Sequence, residues 1–176
     1  MNLTVPRLIW GALLLSTFAY LGVGWWMVQQ RTEAVEVEMT LLYGLAAAGF
    51  CSAVASLVLP RFFLGAWTRR VKLKVEDRPD PTAETHYRQH VTGSRVFVDP
   101  DEARRQLAAA FFVPLILGLA LAESVAIYGL VLLLLGSSWP EAIGFFAASW
   151  VLMAVRFPLE GPLVATLEKA KNARLR

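Results

Sequence analysis

A single acidic residue, Glu123, stands near the middle of an apolar run from Leu107 to Gly136, LAAAFFVPLILGLALAESVAIYGLVLLLLG. Keeping a charged side chain at the centre of a bilayer costs about 2.5–3.5 kcal/mol on insertion scales. Such residues mark ion or proton sites, or polar contacts between helices. Ser124 follows directly and Tyr128 comes five residues on. On a helix, Ser124 is offset from Glu123 by about 100° and Tyr128 by about 140°. The three oxygens surround one small cation or one protonated carboxyl only if the tyrosine folds back and a neighbouring helix closes the site. Two readings follow from these residues. In the first, Glu123, Ser124 and Tyr128 bind H⁺ or a monovalent cation. In the second, Glu123 is a neutral structural group that hydrogen-bonds a Ser, a Tyr or a backbone carbonyl of another helix.

The rest of the chain offers little chemistry. His86 and His90, in HYRQH, have the i, i+4 spacing of a helical metal pair. No cysteine and no HExxH glutamate accompany them, so they read as solvated loop histidines and no metal site is expected. The glycines of GLAAAGF read as helix packing, because no P-loop Lys-Ser/Thr follows. Paired carboxylates, a Ser-His-Asp set and a cofactor fingerprint are all missing, so no cofactor is expected. A membrane-embedded enzyme stands third among the readings, because it would need an active site built from single residues spread over several helices. Cys51 is the single cysteine, which rules out an intrachain disulfide.

The elements that must position Glu123 follow from hydropathy. The chain of 176 residues is 56% hydrophobic with a mean hydropathy of +0.50, the composition of a membrane protein. Four apolar stretches, at about 8–28, 39–60, 107–136 and 139–155, predict an all-α membrane protein with four transmembrane helices. The first is too long for the core of a signal peptide, and its exit GWWMVQQRTEA has no small-x-small cleavage site, so it reads as a retained helix. The fourth is short, with Arg156 placed to snorkel to the interface.

Basic residues concentrate in 61–106 and after Val155, with Arg7 ahead of the first helix; the other two loops carry only Arg31, beside Glu33, Glu36, Glu38 and Glu141. The positive-inside rule then predicts both termini and the loop between helices two and three in the cytoplasm. The net charge of +3 and the pI of 9.3 are accounted for by this topology, and no nucleic-acid partner is expected. The organisation is therefore 1–60 with helices one and two, 61–106 as a basic cytoplasmic loop, 107–158 with helices three and four, and 159–176 as a basic interfacial C-terminal helix. Within the loop, RFFLGAWTRR continues the second helix. VKLKVE and SRVFVD alternate as strands of a small hairpin. Asp99, Pro100 and Glu102 have the order of a helix N-cap, first position and capping-box acid. The expected location is the inner (plasma) membrane of a bacterium. The expected associations are the lipid bilayer, a second copy through the small-residue face of helix two, and a membrane or cytoplasmic partner protein.

The stretch from Phe112 to Gly136, best in ALAESVAIYGLVLLLL, resembles the carboxylate-bearing helix of the rotor-ring c subunit (proteolipid) of F-type and V-type ATP synthases. YGLAAAGFCSAVAS in the second helix is more weakly similar to the glycine-rich first helix of that hairpin. The resemblance implies that Glu123 binds the transported H⁺ or Na⁺. It also implies that Ser124 and Tyr128 belong to the coordination network of a Na⁺ site, and that the chain has an ion-transport role. The family joins its two helices by a short polar turn, where this chain has 61–106.

Overall fold

A computed structural model describes residues 3–31, 38–71, 73–78 and 94–174. Five helices are formed: α1 (Thr4–Gln29), α2 (Met39–Arg70), α3 (Pro100–Leu135), α4 (Trp139–Val155) and α5 (Glu160–Lys171). The all-α expectation holds, apart from one small antiparallel sheet of β1 (Val75–Arg78) and β2 (Ser94–Phe97). Three helices, α1 to α3, are long and apolar enough to cross a membrane. At 17 residues α4 would reach only about 26 Å, short of a hydrocarbon core of about 30 Å. It meets the same test only together with α5, from which it is bent by 61°.

α3 is the centre of the bundle. In the apolar window of α3, 44% of the residues are buried inside the protein, against 11% in α1 and in α2. α1, α2 and α4 all pack on it: α1 runs parallel to it, α2 and α4 antiparallel. α4 approaches α3 closely at Gly129, where an added Cβ would lie 2.9 Å from the Phe145 Cβ and 3.2 Å from the Ala142 carbonyl oxygen. The absence of a side chain there lets α4 lie directly on the α3 backbone.

The ends of α3 are built by local rules. The Asp99 carboxylate accepts the Glu102 N–H at 2.9 Å and Pro100 occupies the first turn, as the sequence indicates. At the other end Gly136 takes φ 112, the left-handed conformation that a glycine adopts without penalty. The Ser137 N–H then returns to the Leu132 carbonyl at 3.0 Å in the manner of a Schellman turn. The Arg31 guanidinium, arriving from the end of α1, bonds the Leu133 carbonyl and, at 2.7 Å, the Leu134 carbonyl. It brings positive charge to the negative end of the helix dipole. α4 opens with the Ser138 N–H donating to the Glu141 carboxylate at 2.9 Å, so that acid serves the helix start.

Both α2 and α3 outrun the hydrocarbon. At 36 residues α3 is about 54 Å long, and its first turns stand on a second, separate core. There Leu107, Ala103 and Phe97 pack with Leu163 and Leu167 of α5, covered by Leu64, Trp67, Leu73 and Val75. The hairpin expected in the loop is present, but its first strand begins at Val75, not Val71, because α2 continues to Arg70 and 73–74 lead out of it. The segment after α5 adds to the β2 edge: Arg174 donates its N–H to the Arg95 carbonyl at 2.8 Å, and the Lys171 ammonium caps the end of α2 at the Val71 carbonyl, 2.7 Å away. The helix expected to lie on the leaflet thus turns Leu163 and Leu167 into the protein. The turn of the hairpin, with His86 and His90, lies outside the described residues.

Leu167 is fully buried, and Lys169, on the same helix, is exposed. Leu167→Ala is expected to destabilise the docking of α5 by about 2–5 kcal/mol, whereas Lys169→Ala should change it little. Limited proteolysis of the C-terminal segment in membranes measures this, and equal cleavage rates in the two variants would show that α5 is not held by this core.

Candidate functional site

The parallel packing of α1 on α3 brings a hydroxyl pair to the intramembrane acid. Ser16 and Tyr20 are one helical turn apart on α1 and so share a face. The Tyr20 hydroxyl donates to Glu123 Oε1 at 2.9 Å, and the Ser16 hydroxyl donates to the same oxygen. All three side chains are half-buried.

Ser16 has a second acceptor, the Leu13 carbonyl of its own helix, at 2.7 Å. A hydroxyl carries one proton and two lone pairs, so two proton arrangements fit one set of heavy-atom positions. In the first, an ionised Glu123 accepts from both hydroxyls. In the second, a protonated Glu123 donates to Ser16 Oγ, Ser16 turns its proton to the Leu13 carbonyl, and Tyr20 still donates to the carboxyl. Neither arrangement leaves a hydroxyl proton without an acceptor, and neither requires a side chain to move.

Of the three residues singled out in the sequence, the structure puts Glu123 at this contact and the other two elsewhere. Ser124 donates to the Leu121 carbonyl of α3 itself at 2.8 Å. Tyr128 faces α2, where an added Cβ at Gly49 would lie 3.7 Å from Tyr128 Cδ2. The reason is the angular offset: an advance of five residues carries Tyr128 round α3 to a different neighbour. Among the described residues, the hydrogen bonds to Glu123 come from Ser16 and Tyr20. Those partners were missed in the sequence. Their signal was present in LLLSTFAYL, where two hydroxyl side chains four residues apart interrupt an otherwise apolar face.

Further polar links fix α1 along the same groove. The Trp150 indole N–H donates to Thr17 Oγ1 at 2.9 Å, and its ring stacks on Phe18 with centroids 4.8 Å apart. The Trp10 indole N–H donates to the Met153 carbonyl at 2.8 Å. On the α2 side, the buried Ser56 hydroxyl donates to the Gly118 carbonyl at 2.9 Å. Among the described residues no group of three or more His, Cys, Asp or Glu side chains is arranged to hold a metal ion.

Comparison of the chain with protein families, with curated proteins and with solved structures gave no match.

Interhelical hydrogen bonds in membranes average about 0.6 kcal/mol and reach about 1.7 kcal/mol. Ser16→Ala and Tyr20→Phe are each expected to lower bundle stability by an amount in that range, while Tyr128→Phe should have a smaller effect. Reversible unfolding in mixed micelles tests the ordering, and an effect of Tyr128→Phe equal to that of Tyr20→Phe would contradict the geometry.

Proposed function

We propose that this is an integral membrane protein, with both termini and the hairpin on the cytoplasmic side, in which Glu123 takes up and releases a proton. The observation that carries this reading is the shared hydrogen of Ser16: the carboxyl has partners suited to both of its protonation states in one geometry. The three apolar helices support the membrane class. The positive-inside distribution supports the orientation, and in a bacterium this orientation belongs to the inner membrane. The likeness of ALAESVAIYGLVLLLL to rotor-ring c subunits supports a proton- or cation-linked role within a larger assembly, with a partner protein supplying the charge that drives release. The cation version of the reading uses the same carboxyl, with Ser16 and Tyr20 nearer to it than Ser124 and Tyr128.

A second reading rests on the same bonds. Ser16 and Tyr20 join α1 to α3, so Glu123 also serves as a structural link in a scaffold that transports nothing.

A hydrophobic carbodiimide separates the two readings, because it modifies protonated carboxyl groups in apolar surroundings. Glu123 should be modified selectively over the water-exposed acids, with the reaction fading as pH rises, and Glu123→Gln should abolish it while the bundle stays folded. Ser16→Ala and Tyr20→Phe, which strip the carboxyl of its partners, should speed the reaction; Ser124→Ala and Tyr128→Phe should leave it unchanged. Protection by added Na⁺ would identify a cation site rather than a proton site. No modification at any pH, together with a bundle that dissociates on Glu123→Gln, would leave the scaffold reading standing.

A further inference from the structure

Arg61 of α2 and Arg156, which follows α4, lie near enough for the charge of one to act on the other, with no acid paired to either among the described residues. Arg156, just after α4, folds back onto α3: an added Cβ at Gly118 would lie 3.0 Å from its Cζ, 3.0 Å from its Nη1 and 3.0 Å from Pro60 Cγ. The guanidinium is therefore seated on bare α3 backbone, beside the α2 proline. Its Nε is buried and has no hydrogen-bond acceptor. The charged group whose field reaches it is Arg61, which follows Pro60 and is exposed. Among the described residues neither arginine has a carboxylate partner. Two like charges held together, one of them half-buried, are unfavourable unless an anion lies between them.

We propose that Arg61 and Arg156 form a binding site for a phosphate-bearing anion, the headgroup of an anionic phospholipid. Arginine suits this chemistry because its planar fork donates two parallel hydrogen bonds to phosphate oxygens. The lipid is favoured over free phosphate by what surrounds the pair. Phe62 is 63% exposed and Val155 63% exposed, and each adjoins one of the two arginines in sequence, so apolar surface suited to acyl chains flanks the cations. Gly118 is the residue that admits the guanidinium. The site does not involve Glu123 and stands whether or not that carboxyl titrates.

The test uses the full chain in a neutral detergent, titrated with short-chain phosphatidylglycerol, phosphatidylcholine or inorganic phosphate and read by thermal unfolding. Phosphatidylglycerol should raise the melting temperature saturably and phosphatidylcholine should not. A basic group near an anionic surface is worth roughly a fivefold change in affinity. Arg61→Gln and Arg156→Gln should each weaken the apparent binding by about that factor or more, and Gly118→Ala, which displaces the guanidinium, should weaken it too. Arg69→Gln removes an exposed charge from the same end of α2 and should leave it unchanged. Should Arg156→Gln fail to fold, the exposed Arg61 still carries the comparison. Equal stabilisation by inorganic phosphate would uphold the site and assign its anion to free phosphate. No preference for phosphatidylglycerol over phosphatidylcholine, or an equal loss in Arg69→Gln, would overturn the proposal.

Discussion

Hydrocarbon has no hydrogen-bonding groups, so each polar side chain on a membrane helix must find its partner within the protein. Here the partners are concentrated on α3. Ser16 and Tyr20 of α1 meet the Glu123 carboxyl, Arg31 meets the carbonyls at the α3 C-terminus, and Ser56 of α2 meets the Gly118 carbonyl. The bonds are individually weak, about 0.6 kcal/mol on average, and packing at Gly129 and along Leu115, Leu119 and Ala122 contributes the bulk contact. What the bonds add is register. A shift of α1 by one turn along α3 would leave Glu123, Arg31 and the Trp150–Thr17 pair all without their partners at once.

The two ends of α3 solve different problems. Within the apolar span the outer faces of α1 and α2 stay apolar and exposed, as at Leu15, Tyr43 and Phe50, because lipid is their solvent. Beyond the span, the α3 start, the hairpin and α5 bury Phe97, Leu107 and Leu167 as a water-soluble domain does. The Val96–Arg174 pairing and the Lys171 cap at Val71 make the C-terminal segment part of this core.

This division explains what the sequence disclosed. The three long spans were legible because composition alone decides them, whereas the fourth expected span, α4, is too short to pass by itself. The start of α3 was legible because Asp99, Pro100 and Glu102 act locally. Glu123 was legible as a lone acid in an apolar run. Its partners were not, because i, i+1 and i, i+5 neighbours on one helix are the nearest candidates in sequence but not in space; the choice of α1 over α2 depends on helix packing, which no local pattern encodes. The docking of α5 was hidden for the same reason. A basic amphipathic helix has one apolar face whether it lies on lipid or on protein, and Leu163 and Leu167 fit either surface. β1 was displaced because VKLKVE alternates throughout, while the continuation of α2 to Arg70 consumes the start of the run.

The central place of α3 has a consequence for how the chain is made. α1 and α2 pack on α3 and make little or no direct contact with each other among the described residues. During synthesis these two helices emerge first and enter the bilayer with nothing to embrace. Ser16, Tyr20 and Arg31 must wait, solvated only by lipid headgroups or by their own backbone, until a helix encoded some seventy residues after Arg31 arrives. Bundle assembly is therefore gated by the insertion of α3, and a ribosome stalled before Pro100 holds two separate helices rather than half of a fold.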